Sequence, residues 1–346
     1  MTRHPGRRIL YFLAENPLLV LLILMVVVVQ AMTGAVLNPG NLRGVGLDAA
    51  IIAIVAAPAA MLFIAGYIDF SVSSVLALSG VTAGLIMTDG GSPLLAVLAA
   101  VGVGAVVGAL NAIFTTVVGL SAFVATLGMM IAVRGVAQLV APLPVSDFGP
   151  EFGFLGVGTL VGVPIAIWIA AVVLLLSSVF LTRVPAGRHV YAIGVSREAA
   201  YLSGVKVKTI PFVLYIFSGA AAGLAGAITV ARLNSAPAGQ LGQGFELQVI
   251  TAVLLGGVAL TGGSGSIFGV LVGVLFMGLL NNALVLLNVP NFWQNVASGL
   301  ALIAAIALAL LTDRLRQRLV VLEARSLLRD TPSESATPAP AEKASR

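Results

Sequence analysis

Residues 247–312 read LQVITAVLLGGVALTGGSGSIFGVLVGVLFMGLLNNALVLLNVPNFWQNVASGLALIAAIALALLT, which is 66 consecutive residues without a charged side chain. A helix needs about 20 apolar residues to cross a hydrocarbon core of roughly 30 Å, so the stretch is long enough for three spans. Glycines at 262–265 and polar residues at 288–291 interrupt it at suitable places. The stretch therefore predicts three consecutive transmembrane helices.

The composition of the whole chain supports a membrane protein. Of its 346 residues, 59% are hydrophobic and 9% are charged, whereas a soluble domain has roughly 25% charged residues. The absence of cysteine excludes disulfides and thiolate sites. The fold class predicted is an all-α polytopic membrane protein.

Other uncharged runs predict the remaining spans, because a charge at a helix centre costs about 2.5 to 3.5 kcal/mol on insertion scales. The long run 90–133 is expected to break at Gly119–Leu120–Ser121, and the total is about ten spans. The predicted spans before the quoted stretch are 17–42, 49–68, 70–88, two within 90–141, one within 152–182, and 209–231. The predicted segments are an N-terminal segment 1–16, a transmembrane domain 17–312 with a loop at 183–208, a helical extension 313–330 and a disordered tail 331–346.

Basic residues predict the orientation. Fifteen of the 18 lysines and arginines lie before the first span, within loop 183–208 or after the tenth span. Cytoplasmic loops carry the excess of basic residues, so both termini and loop 183–208 are expected in the cytoplasm. The net charge of +5 is then a topology signal, and no nucleic-acid partner is expected.

A weak internal repeat relates the third and eighth predicted spans. At an offset of 177 residues, Asp69 corresponds to Glu246, and four apolar or glycine positions are identical. Five helices separate the two spans, and an odd displacement reverses the direction of crossing. The pattern predicts an inverted repeat, which is typical of transporters.

Motifs for enzyme chemistry are missing from the sequence. No lysine follows a glycine as a phosphate-binding loop requires, and no His-Glu-x-x-His motif is present. Catalytic residues, metal sites and cofactors are therefore not expected.

Polar residues within the predicted spans are mainly neutral. Amides donate and accept hydrogen bonds, which suits hydroxyl-rich solutes, although they also join helices to one another. Both interpretations stay open for each residue. The candidates for a neutral translocation route are Asn111, Thr126, Asn281 and Asn282.

Loop 183–208 contains a short predicted helix. Ser196 is its expected N-cap, Glu198 lies in its first turn, and Gly204 is placed to end it. About two turns of helix are too short to be stable alone, so the helix must dock on its own bundle or on a partner. Ala199 and Ala200 would allow a close approach.

The chain resembles bacterial ABC permeases of the ribose type over almost its whole length outside the tails. Tyr67, Ser74 and Ser264 depart from residues that are common in that family. The positions that carry the resemblance include, in loop 183–208, Arg188, Glu198, Ala199, Ala200, Gly204 and Val205, and, in the structural motifs, Asp69, Ser71, Glu246, Gly256, Gly257, Gly262, Gly263 and Gly265. Together with the N-cap Ser196, the loop positions are the candidates for coupling to an ATPase.

The resemblance implies a permease of the bacterial plasma membrane. Its implied partners are a cytoplasmic ATPase, an extracytoplasmic sugar-binding protein and a second permease copy, identical or closely related. Ribose, xylose, arabinose or galactose are the implied solutes, and autoinducer-2 and polyols are alternatives. A self-contained secondary carrier is the rival class, which the docking helix and the scarcity of intramembrane charges disfavour.

Overall fold

A computed structural model describes residues 17–290, 293, 296–297, 299–304 and 306–307. The predicted segments 1–16, 313–330 and 331–346 lie outside these residues. The elements in chain order are α1 (Pro17–Thr33), α2 (Pro39–Ile64), α3 (Val72–Thr88), α4 (Pro93–Ala112) with a π-helical continuation (Ile113–Val118), α5 (Ala122–Val140), β1 (Val145–Ser146), α6 (Gly149–Val157), β2 (Thr159–Leu160), β3 (Val163–Pro164), α7 (Ile165–Arg183), α8 (Pro185–Val195), α9 (Arg197–Leu202), α10 (Thr209–Leu233), β4 (Ser235–Ala236), α11 (Phe245–Leu255) and α12 (Ile267–Leu286).

The architecture confirms an all-α polytopic membrane protein. Among the described residues, six helices are long and apolar enough to span a membrane, namely α2, α4 with its continuation, α5, α7, α10 and α12. The apolar helices α1, α3 and α11 are shorter. About half of the tenth predicted span lies outside the described residues, so the total of ten stays a prediction.

Helix α2 begins ten residues before the span predicted at 49–68. Asn38 caps it by accepting a hydrogen bond from the Gly40 amide at 2.9 Å, and Pro39 occupies the first turn. Asp48 therefore lies within the helix, where it pairs with Arg232 at the end of α10 at 2.6 Å. A charge near a helix end can reach the interface, so the charge-free rule placed this boundary too late.

Two helix breaks were predicted at glycines, at 119–121 and at 262–265, and the structure confirms the position of the first but not of the second. The break at Gly119 is confirmed, because Gly119 ends the π-helical segment with a φ of 86° and α5 begins at Ala122. Helix α11 instead ends at Leu255, before the predicted Gly262, and spans only about 16 Å. Gly256 caps this end, and Gly257 follows it with a φ of 80°, a conformation that leaves the helix.

The bundle has two ends that differ in their loops. One end, here called the basic side, carries α8, α9 and five basic residues between 183 and 208. The opposite end, the hairpin side, carries α6 and two short antiparallel sheets. In these sheets Val145 pairs with Ala236, and Thr159 pairs with Pro164.

Helices α4 and α10 pack with their backbones in contact. Gly104 and Gly108 of α4 face Gly219 and Gly223 of α10, so each helix carries a pair of glycines spaced four residues apart. A Cβ at Gly104 would overlap the Gly219 carbonyl oxygen. Close approach of this kind lets dispersion forces hold two helices together inside a membrane.

The contacts at the basic side fix the relative directions of α3 and α11. The Gly263 amide, in the turn after α11, donates a hydrogen bond at 2.8 Å to the carbonyl of Ile64, the last residue of α2, which leads through a short turn into α3. The end of α11 and the start of α3 therefore meet at one side. The two helices run in opposite directions, as an inverted repeat requires.

Candidate functional site

The predicted docking helix is present as α9. The Ser196 hydroxyl oxygen accepts a hydrogen bond from the Ala199 amide at 3.2 Å, which caps the first turn. Gly204 has a φ of 80° and follows the last turn, as expected for a glycine that ends a helix. The preceding α8 is joined to α9 through Ser196 alone, so the two helices form one docking loop.

One face of this loop is open to solvent on the basic side. Val195, Tyr201 and Leu202 are 75%, 67% and 81% exposed. Beside them lies a concave surface of about 680 Å³. Its lining consists of Arg197, Glu198, Tyr201, Val205, Lys206, Val207, Lys208 and Thr209. The loop thus presents apolar side chains next to a mainly basic cleft.

Ala200 does not lie on this face, which corrects the expectation of a close approach by a partner there. Its side chain is only 5% exposed and packs into its own subunit, whereas Ala199, Glu198 and Arg188 are exposed. The reason is the helical period, which places Ala200 on the side opposite Leu202. The Ala200 carbonyl also accepts a hydrogen bond from the Val205 amide at 3.0 Å.

A buried polar network occupies the turn between α2 and α3. One oxygen of Asp69 accepts hydrogen bonds from the Ser71 amide at 3.0 Å, the Ser71 hydroxyl at 2.6 Å and the Asn111 amide group at 3.4 Å. The other accepts from the Ser218 hydroxyl at 2.9 Å. Asn111 also donates to the Ser71 hydroxyl oxygen at 2.7 Å. The network joins the start of α3 to α4 and α10.

This network places one acidic side chain inside a bundle whose other buried polar side chains, among the described residues, are neutral. Asp69 is only 4% exposed. Its partner Ser218 lies about 13 Å along α10 from the basic side, so the carboxylate is well inside the bundle. Asp69 does lie near the start of a span, as predicted, but the turn before α3 re-enters the bundle. An acid buried in this way normally has a specific role.

The second turn, between α11 and α12, is rich in glycine. Gly257, Gly262 and Gly263 have φ angles between 78° and 87°, which side chains rarely adopt, and Gly265 has a φ of 147°. Gly256 contacts the α12 backbone. The motif therefore makes a compact turn against the basic side.

Tyr191 of α8 connects the docking loop to this glycine turn. Its hydroxyl donates a hydrogen bond to the Gly265 carbonyl at 3.0 Å. Burial raises the pKa of Tyr191, which keeps the phenol protonated as a donor.

Glu246, the counterpart of Asp69 in the repeat, lies at the hairpin side in the first turn of α11. It interacts electrostatically with Arg134 of α5, whose guanidinium also donates to the Ala238 carbonyl at 3.1 Å. Arg134 thus ties α5 to the loop that precedes α11.

The four candidate route residues occupy different surroundings. Asn111 is fully buried in the Asp69 network, and buried Thr126 donates to the Ala122 carbonyl at 2.7 Å. Asn282 forms a reciprocal amide pair with Asn41 of α2, at 3.0 and 2.7 Å. Asn281 is half-buried on α12. No hydrogen bond among the described residues joins any of the four to another.

Two contributors to the Asp69 turn were missed as such by sequence reasoning. The sequence pattern assigned no role to Ser218 or to Tyr215. Tyr215 is completely buried and donates to the Ile68 carbonyl at 3.0 Å. The available signal was the spacing of two hydroxyl-bearing residues in an otherwise apolar span. Tyr215 and Ser218 are three positions apart, so they lie on one face of the helix.

Comparisons with known proteins agree with this geometry. Residues 41–306 match the family described as "Branched-chain amino acid transport system / permease component". The ribose import permease protein RbsC of Escherichia coli is 36% identical over 321 residues, covering 90% of this chain and 98% of that protein. RbsC of Bacillus subtilis is 36% identical over 290 residues, covering 83% and 90%. The L-arabinose ABC transporter permease protein AraH of Azospirillum brasilense is 34% identical over 282 residues, covering 81% and 82%.

No solved structure matches this chain. The match to the family extends over most of the transmembrane domain, and the first of these relatives is similar along nearly its full length. The chain therefore belongs to the ribose-type family of ABC transporter permeases, which are multi-pass proteins of the bacterial inner membrane and are not themselves enzymes.

Proposed function

We propose that this chain is the membrane permease subunit of an importer for a monosaccharide or a sugar-like solute, driven by an ATPase on a separate chain. The names of the ribose and arabinose permeases support a solute of the ribose, xylose, arabinose or galactose class. The observation that carries the proposal is the exposed apolar face of α9 beside a basic cleft. Autoinducer-2 or a polyol is the alternative solute, and a self-contained carrier is the rival class.

The chemistry of the docking face supports an ATPase with a complementary surface. Exposed Leu202 and Tyr201 need an apolar cavity on a partner, because large exposed apolar side chains mark interaction sites when they cluster. The adjacent cleft has Arg197, Lys206 and Lys208 against a single acid, Glu198. An acidic rim on the ATPase would match this excess of positive charge.

The remaining partners follow from the same proposal. The hairpin side, with α6 and its two small sheets, is the surface available to an extracytoplasmic sugar-binding protein. A second copy of this permease, or a close relative, completes the membrane unit.

The orientation belongs to the proposal too, with the basic side and both termini in the cytoplasm. Reporter domains fused after Val207 and after Pro237 should give opposite signals, cytoplasmic for the first and extracytoplasmic for the second. The physical reason is the retention of basic loops on the cytoplasmic side. A cytoplasmic signal after Pro237 would contradict the orientation.

The translocation route is proposed to be neutral and transient, lined by Asn281 and Asn282 on α12 together with Asn111 and Thr126 on α4 and α5. Amides can exchange hydrogen bonds with sugar hydroxyls without holding them tightly. Asn281 is the candidate whose amide is half-buried and has no described hydrogen bond to lose.

Transport by proteoliposomes that hold the permease, its ATPase and the binding protein tests the function. Uptake of a labelled monosaccharide is expected to require ATP and the binding protein. Asn281→Leu should lower uptake by about three- to ten-fold, since one hydrogen bond to the solute is lost, whereas Asn281→Gln should retain most of it. Uptake without the ATPase would identify a secondary carrier, and uptake of leucine but no sugar would make the solute assignment wrong.

A further inference from the structure

The docking loop contacts two turns, the one between α2 and α3 and the glycine turn between α11 and α12. A Cβ at Gly194, at the end of α8, would overlap the Ile64 carbonyl oxygen before α3 and the Gly263 amide nitrogen after α11. These two groups are themselves hydrogen-bonded at 2.8 Å. Tyr191, one turn earlier on α8, bonds to the Gly265 carbonyl. The backbone of the docking loop therefore contacts the segment that leads into α3 and the segment that follows α11, which belong to different halves of the repeat.

The first residue of α9 makes a second connection, to the turn before α3. The Arg197 guanidinium carbon lies 5.9 Å from the centre of the Tyr67 ring, within the range of a cation–π contact. Tyr67 meets the ring of Tyr215 edge to face, with centroids 6.0 Å apart at 84°. The aromatic pair thus lies between α9 and the membrane interior.

This contact continues into the Asp69 network. The Tyr215 hydroxyl bonds to the carbonyl of Ile68, the residue directly before Asp69. Ser218, one turn further on α10, bonds to the Asp69 carboxylate. Arg197, Tyr67, Tyr215 and Asp69 therefore form a continuous set of contacts from the solvent-exposed helix to the buried start of α3.

The ring of Tyr67, and not its hydroxyl, makes these contacts. The hydroxyl oxygen is buried and has no hydrogen-bond partner among the described residues. Removing the hydroxyl alone should therefore leave the contacts to Arg197 and Tyr215 in place. Removing the ring should abolish the contacts of Tyr67 with Arg197 and Tyr215, and with them the direct connection of α9 to the Asp69 turn.

We propose that Tyr67 is a positioning residue that transmits displacement of α9 to the Asp69 turn, while Gly194 joins the same displacement to the glycine turn. The inference rests on the proposed function, because it requires an ATPase docked on α9. Packed interiors shift between discrete arrangements and do not deform continuously, so a contiguous set of contacts can pass a displacement on. Loss of the ring should uncouple ATP hydrolysis from transport and leave the ATPase bound.

The test compares three substitutions in the complete complex in proteoliposomes. Tyr67→Leu removes the ring, Tyr67→Met replaces it with a flexible side chain that fills the space, and Tyr67→Phe retains it. Bound ATPase and the hydrolysis rate should stay within about two-fold of wild type in all three. Solute transported per ATP should fall about five-fold for leucine and methionine and be restored by phenylalanine, as expected for a cation–π contact and an aromatic pair.

The outcomes separate this inference from the function on which it rests. Wild-type transport per ATP in both Tyr67→Leu and Tyr67→Met would overturn the positioning role and leave the permease assignment intact. An equal loss in Tyr67→Phe would overturn it too, because the ring would then be insufficient. Solute uptake by the wild-type permease with no ATPase bound would overturn the proposed function itself.

Discussion

Leu202→Asp is expected to release the ATPase while leaving the permease folded. Leu202 is 81% exposed on α9, so it contributes little packing to its own subunit. In the proposed complex its side chain would enter an apolar cavity, where a buried unpaired carboxylate is very costly. A hot-spot residue near the centre of an interface contributes about 2 kcal/mol or more, and as such a residue Leu202 would lose about thirty-fold or more in affinity. Co-purification of the ATPase with tagged permease measures the effect.

A matched control comes from the hairpin side. Val161 is 88% exposed and lies between β2 and β3, at the opposite end of the bundle. Val161→Asp introduces the same charge at an exposed apolar position, and the amount of bound ATPase should not change. Equal binding by wild type and the Leu202→Asp protein would show that α9 is not the docking element.

Asp69→Leu is expected to destabilise the bundle strongly. The substitution leaves the Ser71 amide, the Ser71 hydroxyl and the Ser218 hydroxyl without their acceptor in a buried site. Each buried unsatisfied donor costs about 1 to 3 kcal/mol, so the free energy of unfolding should fall by about 3 kcal/mol or more. Unfolding of the purified permease in mild detergent, followed by denaturant titration, measures this change.

Two further variants test whether the fall in the free energy of unfolding is specific to the Asp69 network. Asp69→Asn keeps one carbonyl oxygen for Ser71 and should be much milder. Asp89→Leu makes the same chemical change at an exposed position at the end of α3 and should stay within about 0.5 kcal/mol of wild type. If Asp69→Leu were as stable as Asp89→Leu, the network would not be what holds the turn in place.

The features that were predicted well depend on a few neighbouring residues. A serine before a helix-forming run and a glycine after it specify α9, and Ser196 and Gly204 both occupy the expected positions. The break at Gly119 likewise needs only a residue that adopts a positive φ. The class of the fold follows from composition alone, because the charged residues are too few to cover a soluble protein.

The features that were not predicted depend on residues far apart in the chain. The depth of Asp69 is set by Ser218, 149 positions away, and the pairing of Asn282 is set by Asn41, 241 positions away. Such contacts leave no local pattern, so an amide that joins two helices and one that faces a route look alike in sequence.

Backbone contact between α4 and α10 also decides which substitutions the protein tolerates over evolutionary time. At Gly108 a methyl group would overlap the Tyr215 carbonyl oxygen, so even alanine requires the two helices to separate. Two residues away, Val106 is 61% exposed on the outer surface of the same helix. In a library of single substitutions, any apolar residue should survive selection at Val106, whereas Gly108 should accept none.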